Sequence, residues 1–183
     1  MVLDYISYFR SLAIAHKDLQ HNPLSETGDG PVGSMHFTKI SPEQVLKALR
    51  TGIGFPCMAI ELYDTQMESQ VASDIKPKTS GAFMIIDNPA SQSAADEDAV
   101  FGKTENIVYD ILKQIYQDVL APGADDECAS PFEFFEFDKL TITPVSRIFG
   151  GQSGYRVVFD FELKKTLNIT VPPAAGTFII DES

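Results

Sequence analysis

A chain of 183 residues with a hydrophobic fraction of 44% is long enough for one domain with a buried core. Its 14 Lys and Arg against 26 Asp and Glu leave a formal charge of -12, which argues against a basic grip on nucleic acid or on an anionic membrane surface. No run reaches the ~18 apolar residues of a membrane helix. The first residues lack the order of a secretory signal, and Cys57 and Cys128 stand far apart, so reduced thiols and a cytoplasmic setting are expected.

Residues 2–17 read as a first helix with a wide apolar stripe, including Tyr5 and Tyr8. Such a stripe suits the core on one side and a neighbouring subunit on the other. Residues 18–34 hold Pro23, Gly28, Gly30, Pro31 and Gly33 and read as a loop, followed by a short strand over 35–40. Ser41, Pro42 and Gln44 carry a capping pattern, which predicts a short helix ending near Gly52. Residues 57–63 alternate as a half-buried strand, and Lys76-Pro77-Lys78 reads as a turn. Residues 81–86 do not alternate, so they read as a central strand buried on both faces.

Residues 89–103 read as an acidic loop carrying Asp96, Glu97 and Asp98. The long helix is then expected over 104–120, with Thr104 as its N-cap. Ile107, Val108, Ile111, Leu112, Ile115, Tyr116, Val119 and Leu120 form one stripe that needs a sheet to cover. A second acidic loop with Asp125, Asp126 and Glu127 leaves it. Residues 132–137 are rich in phenylalanine: Phe132, Phe134, Phe135 and Phe137. Residues 140–163 read as a long hairpin through Gly150, Gly151 and Gly154, its second strand alternating from Tyr155 to Leu163. Leu167, Ile169 and Val171 suggest one more strand. A hydrophobic arm over 172–183 carries Phe178, Ile179 and Ile180. The fold class expected is α+β: one domain over 1–183, a mainly antiparallel sheet, the long helix on one face and an N-terminal helix.

Sites of chemistry are weak. His16, His21 and His36 are scattered, and the acidic triplets read as solvated loops rather than a cation site. Ser153 sits in Gly151-Gln-Ser-Gly154, but between two antiparallel strands, where a nucleophile elbow does not form. Gly28-Asp-Gly30 and Gly150-Gly151 open no helix, so neither cradles phosphate. Asp160 and Glu162 share one strand face, where a solvated pair is the default reading. Glu133, Glu136 and Asp138 between the phenylalanines would repel a phosphate backbone, so 132–137 reads as an edge strand or protein interface. No catalytic, metal or cofactor residue is assigned.

Taken in order, these elements resemble the tail terminator and tail-completion (head–tail joining) proteins of tailed bacteriophages and related contractile particles. The resemblance is one of arrangement over most of the chain. It comprises the amphipathic helix from Asp4 to Arg10, a short helix and Pro56 before strand 58–63, buried strand 83–86, helix 104–120, and hairpin 140–163 with its run from Gly154 to Phe161. It implies a non-enzymatic structural protein of a virion or tail-like particle, assembled in the host cytoplasm. Such a protein forms a homo-oligomeric ring, usually a hexamer, that caps the tail tube and contacts neck or connector proteins while DNA passes its lumen unbound. Candidate subunit contacts are Tyr5, Tyr8, Phe134, Phe135, Phe137, Gly150, Gly151, Gly154, Phe178 and Ile179. A candidate acidic lumen is Asp96, Glu97, Asp98, Asp125, Asp126 and Glu127. The loop over 22–33 and the hydrophobic arm depart from the family pattern. The alternatives are a ligand-binding or enzymatic α+β domain with a pocket between helix and sheet, or a monomeric tail-assembly adaptor.

Overall fold

The computed structural model describes residues 2–27, 29–40, 53–69, 75–120, 132–163, 168–170 and 179–181. The chain runs α1 (Val2–Ala15), a 3-10 turn (Pro23–Glu26), β1 (Met35–Ile40), β2 (Ile53–Glu61), β3 (Asp64–Ser69), β4 (Ile75–Asp87) and α2 (Ala94–Leu120). There follow β5 (Phe132–Phe135), a second 3-10 turn (Phe137–Lys139), β6 (Thr141–Ile148), β7 (Gln152–Leu163), β8 (Asn168–Thr170) and β9 (Ile179–Asp181). The expected helix after Ser41 lies outside the described residues, as do Asp125, Asp126, Glu127, Cys128 and Phe178.

The fold is α+β. Seven strands form one sheet in the order β1-β2-β4-β7-β5, with β3 alongside β4 and β6 alongside β7. β1 and β2 are parallel; the other pairings are antiparallel. β4 and β7 form the spine, paired from Thr79↔Phe161 to Asp87↔Ser153. Among the described residues β8 and β9 pair with each other alone, as a second sheet of two strands.

Both described helices pack on one face of the sheet. Strand alternation sends Phe83, Ile85, Val157, Phe159 and Phe161 to that face. There they meet Tyr5 and Phe9 of α1 and Ile107, Ile111 and Ile115 of α2 in one buried cluster. The contact is strongly aromatic. Tyr5 stacks on Phe161 with centroids 5.5 Å apart, Phe135 on Phe159 at 4.9 Å, and Phe132 meets Phe161 edge-on at 4.9 Å. Gly81 makes room for the Tyr5 ring; a Cβ there would lie 2.6 Å from the Tyr5 hydroxyl.

Four sequence expectations are corrected. α2 begins at Ala94, so most of the supposed acidic loop is helix. Ser93 accepts from the Asp96 amide at 3.2 Å and so caps the helix, while Asp96 and Glu97 occupy the first turn, where the helix dipole favours negative charge. Thr104 is not a cap: it is fully buried, and its hydroxyl donates to the Val100 carbonyl one turn back at 2.8 Å. Lys76-Pro77-Lys78 continues β4 instead of turning. Pro77 is tolerated because pairing with β7 starts only at Thr79, which leaves β4 with a neighbour on one side at that point. Finally, β2 starts at Ile53 and is buried on both faces rather than half-buried. Met58 and Ile60 join the helix-side cluster, and Cys57 and Ala59 join a smaller one with Met84 and Ile86 on the opposite face.

Candidate functional site: the β6 edge and its hairpin tip

Among the described residues β6 pairs with β7 and with no other strand, which leaves its outer side a free edge there. Its side chains are exposed or half-buried throughout. The edge is blunted in two ways that natural sheets use against promiscuous pairing. Pro144 carries no N–H, and the register shifts between Val145 and Ile148, where Arg147 and Phe149 take positive φ of 54° and 49°. Gly150 and Gly151, at φ 108° and 125°, complete a turn that other residues adopt only with strain.

Gly154 has a different role. A Cβ there would lie 2.0 Å from the Ile85 carbonyl oxygen, so its bare backbone permits the close approach of β7 to β4. It is buried between strands and cannot meet a partner, which corrects its reading as a contact residue.

The turn is held to the start of α2 through one carboxylate. Glu97 accepts a hydrogen bond from the buried Ser153 hydroxyl at 2.8 Å and a short one from Ser146, and Arg147 stands 3.7 Å away. The Ser146 and Ser153 hydrogen bonds, with help from Arg147, hold the Glu97 carboxyl below its ordinary range against a smaller opposing effect of burial. Asp96 is lowered likewise by Ser91 and Ser93. Ser91, Ser93, Glu97, Arg147 and Gly151 line a cleft of about 90 Å³ between turn and helix. The structure therefore joins two sets of residues that the sequence left apart: the acidic triplet Asp96, Glu97 and Asp98, and the hairpin tip Gly150 and Gly151. The signal that could have joined the helix start to the triplet is Ser93-x-x-Asp96, a capping pattern overlooked among the acidic residues.

The phenylalanine run divides by face. Phe135 opposes Phe161 and is buried with the helices; Phe134 opposes Glu162 on the other face and is 52% exposed. Phe137 is half-buried between Phe135, at 4.6 Å, and Tyr116, at 5.2 Å. Tyr116 and Leu120, expected in the helix stripe, are exposed. Tyr5, Tyr8 and Phe135 are corrected in the opposite direction. All three are buried within the subunit, so none is free for a partner. The Tyr8 hydroxyl donates to Asp118 at 2.7 Å and so ties α1 to α2, and burial pushes its titration far up. Ile179 lies in β9, apart from the main sheet.

Chemistry elsewhere is sparse. Burial pushes the Asp160 carboxyl up, but hydrogen bonds from Ser80, at 2.5 Å, and Lys78 outweigh it and keep the group ionised, so it is no proton donor near neutral pH. Its strand neighbour Glu162 is exposed. Among the described residues, no three His, Cys, Asp or Glu side chains converge as metal ligands. His21 and His36 do come together, through a backbone amide. No protein-family model, curated protein or solved structure matches the chain.

Proposed function

We propose that this protein is a structural component of a tailed virion or tail-like particle. It forms a homo-oligomeric ring that closes the tail tube and joins it to the head or neck. The observation that carries this reading is the placement of free strand edges on opposite sides of one sheet. Among the described residues, β1 and β3 lie beyond β4 on one side and β6 and β5 beyond β7 on the other. Opposite, non-identical edges favour head-to-tail contacts, and such contacts close into rings when the rotation per subunit permits. The formal charge of -12 suits a channel that DNA passes without sticking, and Asp96, Glu97 and Asp98 are the acidic residues best placed near the hairpin tip to line it.

The pocket-bearing alternative loses its expected space. The region between helices and sheet is filled by Phe83, Phe159, Phe161, Ile107 and Ile111, each no more than 2% exposed. The cleft at the hairpin tip is far below the ~300 Å³ at which small-molecule sites begin.

Negative-stain imaging of purified protein, with and without tail tubes, tests the reading. Closed rings with a central hole, free or seated on tube ends, are expected. Separate monomers that leave tube ends bare would overturn it.

A further inference from the structure

We propose that the loop following α1 is held by an acid-released latch whose moving part is the proton on His21. His21 is 3% exposed and sits between three elements. Its Nε2 lies 2.8 Å from Glu26 Oε1 in the first 3-10 turn, and its Nδ1 accepts the backbone N–H of His36 in β1 at 3.2 Å. A nitrogen that accepts from an amide carries no proton, so the ring is neutral and Nε2 is the nitrogen that donates to Glu26. Glu26 in turn accepts from Nε and Nη2 of Arg10 in α1, at 2.8 and 3.0 Å. The His36 ring extends the chain: its Nδ1 donates to the Pro56 carbonyl of β2 at 2.7 Å. The latch thus runs Arg10, Glu26, His21, His36 and Pro56, joining α1, the loop, β1 and β2.

Acid acts on the latch at His21. His21 gains its second proton on Nδ1, which removes the acceptor for the His36 amide and leaves two donors facing each other in a buried site. The charged groups facing His21 from the packed elements are Glu26, which favours the cation, and Arg10 and His36, which oppose it. Burial is the largest influence, and the balance holds His21 below its ordinary 6.5. A histidine depressed in the folded state contributes stability that is full above about pH 6.5 and lost as pH falls through the lower folded value. Release would free the base of the loop, where the Asn22 amide bonds the Ser34 carbonyl at 3.1 Å. That loop presents Leu24 and Val32, at 59% and 93% exposure, so the latch fixes an apolar tip in place above pH 6.5 and loosens it as pH falls through the lower folded value.

The test is amide hydrogen exchange, corrected for intrinsic rates, at His36 and Asn22 between pH 7.5 and 5, in the wild type, His21→Gln and His36→Gln. Protection in the wild type should fall by about tenfold per pH unit as pH falls from about 6.5 towards the lower folded value, as for one proton, and level off below it. H36Q should keep that dependence and H21Q should lose it. Flat protection in the wild type, or an unchanged slope in H21Q, overturns the latch. Should H21Q not fold, nitrogen NMR of the wild-type imidazoles decides. A protonated Nε2 and bare Nδ1 on His21, titrating together with the His36 amide, is expected; the opposite tautomer overturns the proposal. None of these readouts depends on ring assembly.

Discussion

The two faces of the sheet do different work. One is covered by α1 and α2 and sealed with aromatic rings from α1 and four strands and with aliphatic side chains from α2. On the other, no described helix packs. There, a small apolar cluster around Cys57 and Met84 gives way to a paired charge, Arg156 against Glu61 at 2.6 and 2.8 Å, and then to Asp160, Glu162 and Phe134. The burial pattern assigns stability to the first face and leaves the second, with the β6 edge, more open to solvent. Adjacent residues of β5 sample both: Phe135 points to the helices and Phe134 away.

The comparison can be broken at Phe135. Phe135→Asp puts an unpaired charge among the rings of Phe132, Phe137 and Phe159, and a loss of at least about 4 kcal/mol in chemical denaturation is expected. A folded F135D protein of near wild-type stability would deny that the helix-covered face holds the fold. Next in size is Gly154→Ala, whose Cβ meets the β4 backbone; a loss of about 1–3 kcal/mol should appear in the same assay. Arg156→Ala removes a bidentate pair that is still 39% exposed at arginine and 29% at glutamate, so solvent screening limits its effect to about 0.2–1 kcal/mol. A loss as large as that of F135D would place the structural weight on the wrong face.

Glu97→Gln sharpens the picture at the hairpin tip through its pH dependence. The folded carboxyl titrates below its ordinary 4.5, so its contribution is present above about pH 4.5 and is lost as pH falls through the folded value. Melting curves should show E97Q less stable than wild type at pH 7, with the gap closing in acid. A gap that widens in acid would mean the carboxylate is strained rather than held.

Much of this division was legible in the sequence. The period-two run of β7 named Val157, Phe159 and Phe161 as one face, and the unbroken apolar run of β4 marked a strand buried on both sides. The stripe Ile107, Ile111 and Ile115 located the sheet-facing side of α2. What stayed hidden depended on partners distant in sequence. Tyr5 and Tyr8 look like surface aromatics until Phe161 and Asp118, more than a hundred residues away, are seen to receive them. Acidic composition masked the true start of α2, because Asp96 and Glu97 read as solvated loop when the cap at Ser93 is not weighed. The Glu97 link to Ser146 and Ser153 spans about fifty residues and has no local signature. That Phe132 and Phe135, three residues apart, share the buried face was beyond reach because β5 shifts register between Phe132 and Phe134, which breaks simple alternation.

Phe134→Asp should change stability least, by about 0.5 kcal/mol or less, since the ring is half in solvent. It therefore separates folding from assembly. The most direct measurement is native mass of wild type and F134D at two protein concentrations, beside a thermal melt of each. The account predicts closed oligomers for the wild type, smaller species for F134D, and melts that coincide. An F134D protein that assembles as the wild type does, or a wild type that stays monomeric at both concentrations and also leaves tube ends bare, would contradict it.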